Sequence, residues 1–407
     1  MNIGIVTTWF ERGAAYVSRA YMEVLSGQHA VFIYARGGEA YGKGDSNWDH
    51  PNVTWAPRLD GPVIAGLNAI SRLHFVRWLK KNRIDVVFFN EQQDIAIVRE
   101  ASGLGYTTGA YVDYYRRDTV EDFAVYDFLV CNTQRHYSIF RDHPRCLFLQ
   151  WGTDVNVYRP SAARPLSSDA ITFFHSAGMN PYRKGTDLLL RAFRLVEGNA
   201  RLLIHTQVPL SRYGEDLTRM AGTDTRIEVV EKTVPAPGLY HLGDVYVYPS
   251  RLDGVGLSVP EALASGLPVI TTDEPPMNEF VEDGVNGSLV KVSERHVRSD
   301  NYYWPESLVN VEDLARKMQA YVNNRELVAE QSPNARSSAE TGFNWRDNAK
   351  DLPDWFAALP LRRRLDSVRF RQFGRWLVFD TLLYLQRPFS LPARALRKLL
   401  RVLRGRV

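Results

Sequence analysis

Short runs of consecutive apolar residues alternate along this chain with longer stretches in which apolar positions recur every three or four residues. Unbroken apolar runs mark strands buried on both faces, and the helical period marks amphipathic helices. In the first half NIGIVTTW, AVFIYAR, VTWAP, DVVFFN, GAYVDYY, DFLVCNT and LFLQWG read as strands, with helices predicted over 14–25 and 63–82. The pattern breaks at 151–169, WGTDVNVYRPSAARPLSSD, whose Pro, Ser and Arg content reads as an interdomain linker. A second series then follows, ITFFHSAG, ARLLIHTQ, IEVVEK, DVYVYPS, PVITTD and GSLVKV, separated by helical stretches starting near Thr186, Tyr213, Gly238, Ser258 and Pro276. Helical patterns occupy the chain from Asn310 to Leu359. This predicts two α/β domains with parallel sheets facing a cleft, over 1–155 and 156–342, with functional loops at the carboxyl ends of the strands.

Composition adds little to that picture until charge is divided along the chain. At 407 residues and 45% hydrophobic content, two folded domains are the expectation and repeats or disorder are not. The nine histidines and two cysteines, Cys131 and Cys146, show no metal-ligand spacing, so no metal and a reducing compartment are expected. The opening MNIGIVTTWF lacks the basic and apolar regions of a secretory leader, which points to the cytoplasm. The net charge of +4 hides an asymmetry, because residues 361–407 carry 13 Lys/Arg against 2 Asp/Glu. That basic tail holds two amphipathic stretches, RFRQFGRWLVFDTLLYLQ and ARALRKLLRVLRGR, the first interrupted by Asp380 and too short to span a bilayer. An anionic membrane surface is the expected partner ahead of nucleic acid, with packing against the acidic body as the alternative.

The segment 248–273, YPSRLDGVGLSVPEALASGLPVITTD, carries the most specific chemistry. A strand ends at Pro249, a loop delivers Asp253, and a helix carrying Glu261 runs to Gly266 before another strand. With 46 acidic residues, roughly five pairs at this spacing arise by chance, so the context matters more than the interval. Ser258 and Glu261 read as a capping box, which accounts for Glu261 but not for Asp253, Gly254 and Gly256. Backbone amides exposed at a helix start would hold a diphosphate. A second segment, GMNPYRKGTDLLLRAF, sets Arg183 and Lys184 at a helix entrance, where positive charge opposes the helix dipole unless an anion is bound.

These segments resemble the retaining GT-B glycosyltransferases of family four, with their E-x7-E signature and EA-x-A-x-G-x-PVI helix, here D-x7-E. The resemblance covers about residues 1–360. It implies two Rossmann-like domains and a late helix, 343–360, that crosses back to the first. It further implies a nucleotide-diphosphate sugar as co-substrate and no metal cofactor. By the same resemblance Glu261 bonds the ribose hydroxyls, Asp253 meets the sugar near the reacting carbon, and Gly256 and Leu257 present backbone amides. Lys184 matches the family's lysine, whereas the family's arginine position holds Met179, leaving Arg183 as a substitute. The loop with Gly13 and Arg12 stands where the family has a Gly-rich turn. The family's first-domain histidine is missing, and Asp113 is the chosen replacement among the strand-end candidates Glu91, Asp113 and Tyr114. His175 and His205 lie within strands and are given no role. The expected reaction is retaining hexosyl transfer in envelope or extracellular glycan synthesis, on an unidentified glycan or lipid-linked acceptor. A sugar-nucleotide epimerase and a degenerate membrane-bound scaffold are the competing readings.

Overall fold

The computed structural model describes residues 1–36, 42–57, 70–161, 170–365 and 370–385. The first sheet contains β1 (Asn2–Thr7), β2 (Ala30–Ala35), β3 (Val53–Trp55), β4 (Val86–Asn90), β5 (Thr107–Tyr111), β6 (Phe128–Cys131) and β7 (Cys146–Phe148). They are all parallel and lie in the order β3-β2-β1-β4-β5-β6-β7. Helices α1 (Gly13–Leu25), α2 (Arg72–Lys81), α3 (Ile95–Gly103) and α4 (Gln134–Phe140) connect them. Covered on both faces, β4, β5 and β6 are buried along their whole length, as their apolar runs require. The expected helix over 63–82 begins at Arg72 in the structure, and residues 58–69 lie outside the described part.

The second sheet repeats the plan with β8 (Ile171–Gly178), β9 (Ala200–Thr206), β10 (Ile227–Glu231), β11 (Val245–Tyr248), β12 (Val269–Thr272) and β13 (Gly287–Val290), in the order β10-β9-β8-β11-β12-β13. Its helices include α5 (Thr186–Phe193), α6 (Glu215–Gly222) and α7 (Ser258–Ala264). A hairpin absent from the sequence reading follows, β14 (Val292–His296) paired antiparallel with β15 (Glu306–Val309). Helices α8 (Val311–Asn323) and α9 (Glu326–Gly342) then pack on the second sheet and on α7.

After α9 the chain returns to the first sheet through α10 (Trp345–Asn348) and α11 (Leu352–Ala357). Trp345 meets Trp151 at 4.5 Å and Tyr21 at 5.2 Å between ring centroids, and Phe356 packs edge-on against Phe88 and Phe128. Aromatic burial of this kind seats the returning segment under the first sheet.

Helix α12 (Phe370–Leu385) lies on α2, burying Trp376 and Leu383. Asp380, an apparent interruption of an apolar stretch, has a structural use. Its carboxylate accepts from Ser71 Oγ at 2.8 Å and from the backbone N–H groups of Arg72 and Leu73 at 2.7 and 2.9 Å. It thus caps the start of α2 from another part of the chain. Arg362 and Arg364 pair with Asp127 and Asp85, so this part of the basic tail does dock on the acidic body. Phe373, Leu377, Val378 and Leu382 of α12 stay exposed. The stretch ARALRKLLRVLRGR lies outside the described residues.

Candidate active site

Four strand ends converge on the cleft between the sheets. From the second sheet, the turn after β8 brings Lys184 beside Asp253, which follows β11. Lys184 Nζ lies 2.5 Å from Asp253 Oδ2, and both groups bond the Tyr248 hydroxyl. Gly185 makes this approach possible, because it holds φ +74° and a Cβ there would lie 2.0 Å from Pro249 O. Arg251 locks the same turn with a bidentate pair to Asp187 at 2.7 and 2.8 Å, and its backbone N–H donates to Arg183 O.

The electrostatics of this cluster follow from burial against charge. Burial pushes the Asp253 carboxyl up, but Lys184 and Arg183 outweigh it and hold the group well below the usual carboxylate range. Burial lowers the Lys184 ammonium, with Asp253 opposing. The Arg183 side chain points toward the same acids, and its Nε is buried without a hydrogen-bond partner. The cluster therefore holds concentrated positive charge, part of it not yet matched by hydrogen bonds.

From the first sheet, Asp113 follows β5 and Glu91 follows β4. Asp113 sits so close to the 253–254 turn that a Cβ on Gly254 would lie 1.9 Å from its Oδ1 and would have to displace that carboxylate. Burial, then the adjacent Glu91 carboxylate, push the Asp113 carboxyl well above its ordinary value, and the two acids are hydrogen-bonded to each other. Glu91 adopts the left-handed conformation, φ +50°, uncommon for a residue with a side chain, and its Oε2 lies 3.7 Å from Arg12 Nη2.

The capping box, set behind ligand binding as the alternative for Glu261, does not form. The N-cap of α7 is Leu257, with no side-chain cap bond. Glu261 turns instead to tyrosines, accepting from Tyr240 Oη at 2.6 Å and bonding Tyr158, and burial lifts its carboxyl to about 7. It lines a cavity of about 700 Å³ between the sheets, with Tyr16, Arg19, Trp151, Leu257 and Trp345 among the other walls. Gly13 opens α1 on the opposite side, where a Cβ would meet Leu257 Cδ1 at 3.4 Å. Gly256, at φ +77°, precedes Leu257 at the start of α7. The structure thus gathers Arg183, Lys184, Asp253 and Asp113 at one point of the cleft, with Glu261, Leu257, Gly256 and Gly13 flanking it.

Two residues outside the sequence reading complete the wall. Arg135, near the start of α4, donates to Asp253 O and, at 2.7 Å, to Pro275 O. His136 Nε2 lies 3.1 Å from Gly254 O and Nδ1 3.0 Å from Tyr115 Oη. A histidine does therefore reach the site, from a later strand end than the one where its absence was noted. His175 is satisfied internally by Val247 O and Thr186 Oγ1, and Cys131 and Cys146 are free thiols with sulfurs 3.7 Å apart. Among the described residues no group of three or more His, Cys, Asp or Glu is placed to hold a metal ion.

Residues 170–299, which contain the whole Lys184–Asp253–Glu261 constellation, match the family model "Glycosyl transferases group 1". That segment is similar to the group 1 glycosyltransferases, and the chain as a whole has the GT-B fold. Over 275 residues it is 24% identical to the UDP-N-acetylglucosamine–peptide N-acetylglucosaminyltransferase GtfA subunit of Streptococcus pneumoniae, covering 62% of this chain and 53% of that one. It is 28% identical over 135 residues to the lipopolysaccharide 1,2-N-acetylglucosaminetransferase of Salmonella typhimurium, covering 30% and 35%. The chain thus spans about half or less of the length of these relatives. Its fold superposes on the crystal structure of Anabaena HepE in complex with UDP and glucose with a TM-score of 0.69, at 16% identity, over 88% of this chain and 100% of that one.

Proposed function

We propose that the protein moves a hexose-type sugar from a nucleotide-diphosphate donor to an acceptor hydroxyl, with retention, in envelope or extracellular glycan synthesis. The observation that carries this reading is the buried Lys184–Asp253–Tyr248 cluster, with Arg183 beside it, facing Asp113 across the cleft. Departure of a nucleoside diphosphate builds negative charge on its outer phosphate, and preorganised cations in a partly dry site stabilise that charge without reorganising. Lys184 and Arg183 supply them. Once phosphate oxygens take over Lys184, Asp253 is free to accept from sugar hydroxyls. Glu261 holds the ribose beside the 700 Å³ cavity, and the amides at the start of α7 meet the sugar or phosphate. The donor belongs mainly to the second domain and the acceptor to the first, whose Asp113 faces the 253–254 turn.

A thermal-shift panel of UDP-, GDP- and dTDP-sugars tests the reading, since a ligand at a hundred times its Kd stabilises by about 2.7 kcal/mol. One donor class should raise the melting temperature and give a transferred product. No shift with any of them would overturn the proposal, and isomerisation of the donor alone would replace it with an epimerase.

The acceptor side of this reading includes an anionic lipid surface at the inner face of the membrane. No described helix is long and apolar enough to cross a bilayer. Phe373, Leu377, Val378 and Leu382 instead form an exposed apolar stripe on α12, in a tail of 13 basic and 2 acidic residues, which suits a helix lying in the interface. Removing 361–407 would also strip Asp380 from α2, so surface substitutions are the cleaner probe. Leu377→Ser with Val378→Ser and Leu382→Ser should lower co-sedimentation with phosphatidylglycerol vesicles severalfold at an unchanged melting temperature. Equal recovery would remove the membrane assignment.

A further inference from the structure

The loop between β14 and β15 leaves that hairpin, which follows β13 of the second sheet, crosses the cleft and attaches to the first domain at the residues following β5. Tyr302 bridges to Arg116, and Tyr303 N–H donates to Tyr115 O at 2.9 Å. The Tyr302 hydroxyl donates to Asp113 O at 2.9 Å, while its ring stacks on Tyr114 with centroids 5.2 Å apart. Trp304 Nε1 donates to Tyr115 Oη at 2.7 Å.

From Tyr115 the bonds continue back across the cleft. Gly254 O can only accept, so His136 Nε2 must carry the proton in its 3.1 Å contact. Nδ1 is then the acceptor for the Tyr115 hydroxyl at 3.0 Å, and that hydroxyl's oxygen receives Trp304 Nε1–H. Every donor in the sequence Trp304, Tyr115, His136, Gly254 has one acceptor, with the imidazole neutral. Burial favours the neutral imidazole too, lowering its pKa well below the usual value, with Arg135 acting in the same direction. The circuit crosses the cleft twice, and it encloses Asp113 between the Tyr302 hydroxyl and the Gly254 turn.

We propose that residues 297–305 are a clasp, and that Tyr302, Trp304, Tyr115 and His136 are positioning residues that hold Asp113 in register with the Asp253–Gly254 turn. This rests on the reading of the cleft as a glycosyl-transfer site. None of the four residues is asked to touch the reacting atoms. They fix the distance between the acid of one domain and the cations of the other, so that both face the same sugar. A misplacement of about 1 Å in such a site costs up to about a hundredfold in rate. Donor affinity depends mainly on groups of the second domain, none of them in the clasp, and the clasp leaves it unchanged.

Tyr115→Phe removes both hydrogen bonds of its hydroxyl while keeping the ring, and Trp304→Phe removes the bond from Nε1 and puts a smaller ring in place of the indole. Each should lower kcat for transfer by about tenfold or more, with donor KM within about twofold of wild type. Tyr302→Phe, which retains the stacking on Tyr114, should lose less than Tyr302→Ala. Unchanged kcat in all of these would overturn the clasp, as would a fall in donor binding and melting temperature that tracks the fall in kcat. Hydrogen exchange separates this from the parent reading. If the wild-type protein transfers sugar from no donor, the function proposed above fails alone, and the clasp is judged by the Tyr303 amide. That amide should exchange faster in Trp304→Phe while the amides of β9 keep their protection, and an unchanged rate would sink the clasp.

Discussion

Replacing Lys184 by alanine is expected to lower kcat/KM for sugar transfer by about 10²- to 10³-fold, the usual cost of losing one preorganised stabiliser of a developing anion. It should also destabilise the fold, because Asp253 keeps its charge in a site from which water is largely excluded and loses its nearest counter-charge. Breaking one partner out of a buried pair costs about 3 to 5 kcal/mol, and Arg183 nearby keeps the figure at the lower end. The two effects can be separated. Lys184→Met combined with Asp253→Asn removes both charges, so denaturant unfolding should recover most of the lost stability while turnover stays absent. Asp253→Asn alone should bind donor and fail to transfer. A Lys184→Ala protein with kcat/KM within threefold of wild type would show that the ammonium is only half of a structural ion pair.

That experiment probes the part of the site that was legible in the sequence, and the reason lies in chain distance. Lys184, Asp253 and Glu261 each sit on a strand exit or the first turn of a helix, where glycine, proline and apolar periodicity mark the geometry within a dozen residues. The two parallel sheets were legible for the same reason, since buried parallel strands announce themselves as apolar runs. The partners were not. His136 reaches Gly254 across 118 positions and Trp304 reaches Tyr115 across 189, and no local pattern announces either contact. The β14–β15 hairpin was missed because its strands are short and half polar and carry no alternation to read. The capping-box alternative for Ser258 and Glu261 shows the opposite failure. Their spacing satisfied a local rule, and Tyr158 and Tyr240 overrode it from outside the segment. Asp380 misled in the same way, as periodicity gives a helix its faces without saying which one is covered.

The contest over Glu261 leads to the second large effect, a substitution that stabilises the protein while disabling its donor site. The carboxyl is lifted from its ordinary range to about 7, burial being the first cause, with the tyrosine hydroxyls and Lys184 pulling the other way. Between about pH 4.5 and 7 the folded protein therefore holds a proton that the unfolded chain has released, so stability falls as pH rises through that window. Above pH 7 the carboxylate remains charged in both states and the penalty is present in full. Glutamine stays neutral, so Glu261→Gln should leave stability unchanged near pH 4.5 and raise it at pH 8. The gain is about 1 to 3 kcal/mol after allowing for the solvent that reaches the cleft. Donor affinity should move the other way. A carboxylate can accept from both ribose hydroxyls, whereas the amide offers one acceptor oxygen, and a hydrogen bond to a charged group contributes about 1.5 to 3 kcal/mol. Titration calorimetry at pH 8 should accordingly show a donor Kd raised by about 10- to 100-fold. The pH profile carries the sharper signature. Wild-type donor binding should weaken as pH falls below about 7, because protonation takes an acceptor from Glu261, and the glutamine variant should show no such slope. A variant that binds donor as tightly as wild type and keeps the slope would assign both the affinity and the titration to another group.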